Sequence, residues 1–125
     1  MTPPKRSRPA SSNAVSRTPL NAKWFQILLA LADADRHGLE IVREVERSTE
    51  GAMRLWPGAL YGALEELAAN GWIREVEPPA DAQRGGNPRY YRITASGRQV
   101  LAAEVARLER LLHEARTKIA SPPSR

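Results

Sequence analysis

The sequence contains no cysteine. Disulfides, thiol chemistry, iron–sulfur clusters and cysteine-ligated zinc are excluded with it. Histidine is nearly absent too: His37 and His113 are the only two. A histidine metal site or a Ser-His-Asp triad has little to be built from, and no metal and no cofactor are expected. No nucleophile–base pair, metal-ligand spacing or glycine-rich phosphate loop after a strand is visible, so an enzyme is not expected. Long apolar runs are also missing. The longest, Ile27 to Ala32, falls far short of the roughly 20 residues that cross a bilayer. No basic stretch near the start is followed by an apolar one, as a secretory signal would require. The expectation is a soluble, cytoplasmic protein with no membrane partner.

What is present is the balance of one globular domain: 125 residues, 42 % hydrophobic and 26 % charged. The net charge is +5, and its placement is informative. Lys5, Arg6, Arg8, Arg17 and Lys23 stand in the first 23 residues without one acid, and the remaining 14 basic and 14 acidic residues cancel. A nucleic-acid footprint on the folded part must therefore come from local clustering. Residues 1–19 carry Pro3, Pro4, Pro9 and Pro19 with serines and arginines and little apolar surface. They are expected to be a disordered basic tail, either inert or tracking phosphates.

From Leu20 the pattern turns helical. Leu20, Trp24, Ile27, Leu28 and Leu31 share one face of a 3.6-residue period. Gly38 punctuates the chain before a second helix with Leu39, Ile41, Val42, Val45 and Ser48 inward, ending before Gly51. Pro57 and Gly58 open a third helix, because proline suits the first helical turn. Leu60, Ala63, Leu64, Leu67 and Ala68 form its expected stripe, and Asn70-Gly71 stops it. Trp72–Glu77 and Arg89–Ile93 read as two strands around a Gly/Pro-rich loop, residues 78–88. Tyr90 and Tyr91 alternate on the second strand, so one should face the core and the other solvent. Thr94 is an N-cap candidate for a last helix with Ala95, Ser96 and Gly97 in its first turn. Leu101, Val105, Leu108, Leu112, Ala115 and Ile119 follow at spacings of four and three, a sustained seam for a second helix.

This order (three helices, strand, loop, strand, helix) is that of a winged helix-turn-helix, a mainly α fold with a small β-hairpin. The expected organisation is a tail over 1–19, a DNA-binding domain over 20–94, a dimerisation helix over 95–120 and a tail over 121–125. In such a motif the helix opened by Pro57 enters the major groove with its N-terminal end foremost. Nothing cationic lies between Arg54 and Arg74. Free N–H groups at the helix start favour an anion, Gly58 and Ala59 let a phosphate approach closely, and Tyr61 adds an O–H donor. Arg84, Arg89, Arg92 and Arg98 lie in the acid-free stretch 82–103. The wing candidates for double-stranded DNA are Arg84, Asn87, Arg89 and Tyr90; the alternative for the arginines is pairing with Glu75 and Glu77. Arg98, on the last helix, is expected to take that alternative, as a solvated surface arginine.

The segments Arg36-His37-Gly38-Leu39-Glu40-Ile41, Pro57-Gly58-Ala59-Leu60-Tyr61-Gly62-Ala63-Leu64-Glu65-Glu66-Leu67, Asn70-Gly71-Trp72-Ile73 and Arg89-Tyr90-Tyr91-Arg92-Ile93-Thr94-Ala95-Ser96-Gly97 together resemble the PadR family of transcriptional regulators. The resemblance covers about residues 20–119. It departs from the family at Leu39, where tyrosine is frequent, at Ala59, where threonine is common, and at Trp56, where a smaller residue is usual. The resemblance implies a homodimeric repressor of a nearby operon that binds an inverted repeat. It also implies that the last helix packs on its own copy and on the partner's first helix, so Leu20, Trp24 and Ile27 join the seam as contact candidates. Trp24 and Phe25 are read either as core or as lining a pocket for a small aromatic effector. His37 is expected to be a turn or capping residue, His113 to lie at the seam's edge, Trp72 in the core, and Trp56 either at the DNA edge or over the third helix. The rival reading is a winged-helix protein-interaction module that has lost DNA binding.

Overall fold

The structure is a computed structural model that describes residues 18–83 and 88–123. The basic tail to Arg17 and the wing tip Arg84–Asn87 lie outside the described residues, and with them the expectations placed on Arg84 and Asn87. The elements are α1 (Ala22–Leu31), β1 (Arg36–His37), α2 (Gly38–Ser48), α3 (Pro57–Ala69), β2 (Ile73–Val76), a 3₁₀ turn (Ala80–Gln83), β3 (Tyr90–Ile93) and α4 (Ala95–Ala120). The chain is mainly helical with a small antiparallel sheet, as the sequence leads one to expect.

Local chemistry explains most of the element ends. Asn21 Oδ1 accepts from the Trp24 N–H at 2.8 Å and starts α1. Leu20, the first residue of the expected pattern, lies just before this cap and is buried. The carbonyls left free at the end of α1 are met from far along the chain. Arg36 Nε donates to the Ala30 carbonyl at 2.7 Å, and Arg98 donates to that of Ala32 at 2.9 Å. His37 caps α2: its Nδ1 accepts from the Glu40 N–H at 3.3 Å, while Glu40 Oε1 accepts from the His37 N–H at 3.1 Å. That reciprocal pair is a capping box with histidine in the place usually taken by serine or threonine. Pro57 begins α3. Its C-terminus closes through Gly71 N–H to Ala68 at 2.9 Å and Trp72 N–H to Leu67 at 3.0 Å, with Gly71 at φ 78°. This Schellman turn needs a left-handed residue, which glycine adopts without strain. The same turn ends α2, but there Glu50 takes the left-handed position at φ 53°.

The sheet has the order β1-β3-β2, with Arg36 opposite Tyr91, His37 opposite Tyr90 and Ile73 opposite Ile93. β1 was not expected; two residues are too few to leave a periodic signal. It changes the fate of the two tyrosines. Tyr91 and Ile93 face the core, yet Tyr90, on the opposite face, is also buried. The His37 ring stands edge-on to Tyr90 with centroids 5.2 Å apart and closes that face. The expectation of one solvent-facing tyrosine is therefore corrected.

The core gathers Ile27, Leu28, Leu31, Ile41, Val45, Leu60, Leu64, Leu67, Trp72, Ile73, Ile93 and Val100. Trp72 is its largest member and meets Trp24 edge-on at 5.5 Å. Three expected inward residues, Leu39, Ser48 and Ala68, are exposed. Each sits at the margin of a stripe that is narrower than the apolar pattern suggests.

α4 is joined to the core through its first turn. Thr94 Oγ1 accepts from the Gly97 N–H at 3.0 Å and donates to the Gly71 carbonyl at 2.6 Å, while the Thr94 N–H donates to Trp72 at 2.9 Å. Gly97 is required by space: a Cβ there would overlap the Trp72 carbonyl oxygen and lie 2.8 Å from Ile93 Cγ1. Val100, Leu101 and Glu104 are buried, and every residue from Leu108 to Ala120 is exposed.

Candidate nucleic-acid interface

α2 and α3 form the helix pair, and the outward face of α3 carries Gly58, Tyr61, Gly62 and Glu65 at helical spacing, all exposed. Neither glycine has an atom within 4 Å of the place a Cβ would occupy. Glycine in an exposed helix costs about 1 kcal/mol relative to alanine, and nothing in the fold repays it here. The start of α3 is equally bare. Trp56 is its N-cap residue but provides no side-chain hydrogen bond, and the first turn holds no acid. The backbone N–H groups of Gly58 and Ala59 thus sit at the positive end of the helix dipole with no side-chain cap.

A cleft of about 580 Å³ is lined by His37, Gly38, Leu39, Tyr61, Pro88, Arg89 and Tyr91. It brings the start of α2, the second turn of α3 and the base of the wing to one place. Gly38 is the hinge of the arrangement: a Cβ there would lie 3.3 Å from Leu60 Cδ2 and 3.7 Å from the Tyr61 hydroxyl. A second groove of about 460 Å³ continues between α3 and the sheet, past Gly62, Glu65, Glu75 and Arg89. Tyr61 and Arg89 line both.

The arginines divide by their partners. Arg92 is bound in two contacts by the Asp35 carboxylate, at 3.0 and 2.7 Å. That hydrogen-bonded pairing holds the Asp35 carboxyl below the ordinary aspartate value. The sequence offered Glu75 and Glu77 as partners; the chosen one comes from the turn before β1. Arg98 donates to the Ala32 carbonyl at the end of α1 instead of pairing with Glu75 or Glu77. Arg89 is exposed, and among the described residues no carboxylate lies in salt-bridge range of it. Tyr90, expected at the DNA surface, is withdrawn from it by burial under His37. Burial pushes its phenol pKa up, and the negative charges of Glu40 and Asp81 add to this.

The comparisons with known proteins agree on one family. The model of the transcriptional regulator PadR-like family matches residues 27–103. The chain belongs to the PadR-like family of transcriptional regulators. Among solved structures, a PadR family transcription regulator from Clostridium difficile is 24 % identical with a TM-score of 0.59, covering 78 % of this chain and 97 % of that one. Bacillus subtilis PadR, solved in complex with operator DNA, is 20 % identical with a TM-score of 0.59, covering 70 % of this chain and 48 % of that one. An uncharacterised 37.1 kDa transposon protein from Streptomyces fradiae is 36 % identical over 91 residues, 73 % of this chain. The match spans about a quarter of that relative, 24 % of its length.

In this PadR-like chain the residues expected to meet a partner copy fall into two groups. Leu20, Ile27 and Leu101 are buried in the chain's own core, so all three are corrected from partner contacts to core. Glu104 is buried beside them, and Arg107 holds its carboxylate at 2.7 and 2.8 Å. The Arg107 hydrogen bond is the main reason the Glu104 carboxyl lies below the ordinary glutamate value. Val105, Leu108, Leu112, Ala115 and Ile119 are exposed, and Leu111 joins them. Trp24 and Phe25 are half-buried against the core; Trp24 Nε1 points to Glu66 Oε1 at 3.4 Å. Among the described residues no helix is long and apolar enough to cross a membrane, and no group of three His, Asp or Glu side chains suits a metal.

Proposed function

We propose that this PadR-like regulator binds double-stranded DNA as a homodimer and represses transcription from an inverted-repeat operator in the cytoplasm. One observation carries the DNA reading: Tyr61 and Arg89, from a helix and a wing, converge on one cleft. A phosphate in that cleft meets a phenolic O–H and a guanidinium together. Gly58, Ala59 and Gly62 let the backbone come close, and Arg84 and Asn87, outside the described residues, are proposed as further contacts to the backbone. Tyr90 supports His37 from below instead of touching DNA. The operator complex of Bacillus subtilis PadR has the same fold around its DNA.

The dimer reading rests on α4. Val105, Leu108, Leu111, Leu112 and Ile119 leave a row of large apolar side chains on a helix that none of the described residues covers. Pairing two such helices buries the row. Two copies of α3 then stand roughly one DNA turn, about 34 Å, apart. A small aromatic effector would enter beside the half-buried rings of Trp24 and Phe25. Repression and the inverted repeat are what membership of the family suggests.

The test is the salt dependence of binding. Arg89→Ala is expected to weaken every duplex alike and to reduce the slope of log K against log salt by about one counterion. An unchanged slope removes the wing from the interface. The cation-free face of α3 favours the rival reading, a protein-interaction module. That reading prevails if an intact dimer binds no duplex even at low salt.

A further inference from the structure

We infer that Trp56 reads thymine 5-methyl groups in the major groove and thereby sets the base preference of this chain. The inference rests on the DNA-binding reading above and asks which bases the helix can distinguish.

Trp56 is 72 % exposed. Its neighbour Leu55 is buried, yet the indole takes no part in the core and gives α3 no capping bond. Nothing in the fold asks for tryptophan there. It stands at the N-terminal end of α3, the end that goes deepest into the groove.

The rest of that end lacks the side chains that read purines. Guanine is read by arginine or lysine against O6 and N7, and adenine by asparagine or glutamine against N6 and N7. From Trp56 to Ala69 the helix has none of these four. Arg54, the nearest cation, is held by Glu46 Oε2 at 2.8 Å. Asn70 lies at the far end, with its amide donating to the Glu66 carbonyl at 3.0 Å. Glu65, on the exposed face, is an acceptor: it opposes the acceptors of guanine and suits the cytosine amino group. Gly58 and Gly62 offer no side chain. For an A·T pair an apolar contact is the remaining major-groove signal, and only thymine presents a methyl group there. Trp56 is the large apolar side chain placed to meet it. Tyr61, about 1.4 turns further along the helix, lines the cleft that takes the phosphate.

The full-length protein would select duplexes from a random pool. The selected duplex is then remade with deoxyuridine for each thymine in turn, which deletes one methyl and nothing else. Binding is measured for the wild type and Trp56→Ala, with a non-selected duplex at low salt as reference. One methyl in contact is worth about a fourfold change in affinity, and symmetric replacement in both half-sites about fifteenfold. The wild type is expected to show this loss at one position per half-site. Trp56→Ala is expected to lose the discrimination, binding thymine and uracil duplexes alike. Uracil tolerated at every position by the wild type overturns the inference. So does a full-sized uracil penalty that persists in Trp56→Ala, or an effect of Trp56→Ala confined to the sedimentation of the dimer. Failure to bind any duplex overturns the DNA reading itself.

Discussion

Replacing Gly97 with alanine tests the joint between α4 and the core. The new methyl would overlap the Trp72 carbonyl oxygen and sit 2.8 Å from Ile93 Cγ1. Relaxed carbon pairs keep about 3.5–4.0 Å, so one side of the joint must yield by roughly 1 Å. The obstacle is backbone, and it is pinned: the Trp72 carbonyl accepts the Thr94 N–H at 2.9 Å, and Thr94 is the cap of the same helix. Overpacking of this kind costs about 1–3 kcal/mol, and a fixed carbonyl argues for the upper end. Alanine recovers at most about 1 kcal/mol through helix propensity. A net loss of about 2 kcal/mol follows, equivalent to a fall in Tm of about 8–16 °C for a domain of this size. The assay is urea unfolding followed by circular dichroism, with both proteins at one concentration because the proposed dimerisation would shift the midpoint. A stability within about 0.5 kcal/mol of the wild type would refute the close-approach argument.

The same substitution at Gly62 is expected to act with the opposite sign. No atom lies within 4 Å of its Cβ position, so Gly62→Ala should stabilise the fold by about 1 kcal/mol while weakening DNA binding; equal or tighter binding in a gel-shift titration counts against the exposed glycines as a DNA surface. Glu50 holds a left-handed conformation at φ 53°. Glu50→Gly relieves that strain and should raise stability by about 0.5–1 kcal/mol, read as a higher urea midpoint at an unchanged slope. Acid should loosen the base of α4. Glu104 is buried and its carboxyl is held below the ordinary 4.5 by Arg107. The unfolded chain then binds the proton more readily, so this contribution is complete above about pH 4.5 and fades as pH falls through the lower folded value. Glu104→Gln should lose about 2 kcal/mol near neutral pH and show a flatter acid limb; an acid limb as steep as the wild type's would show that other carboxylates, such as Asp35, govern it.

The candidate site was legible in the sequence wherever its residues act through their immediate neighbours. Pro57 at the start of α3, the stop at Gly71, the cap at Thr94 and the capping role of His37 all depend on groups within a few positions along the chain. Such signals survive in a bare sequence because hydrogen bonds to the next turn have fixed offsets. The motif order led to the family for the same reason. Arg89 and Tyr61 were both named as DNA contacts, but that they share one cleft was beyond reach, since β3 and α3 meet only through the sheet.

By itself, then, the sequence determined the helices, their ends and the helix-turn-helix order, since period and capping are local properties of the backbone. Tertiary structure alone decided which of those groups remain free. It paired β1 with β3 and so buried Tyr90, tied Arg92 to Asp35 across 57 positions, and made Gly97 indispensable under a carbonyl of another element. It also divided one apolar seam in two, drawing Leu101 into the core and leaving Leu108, Leu112 and Ile119 outside. Apolar residues at helical spacing look alike in sequence. Only the reach of the neighbouring elements decides which of them this chain can cover and which are left for a second one.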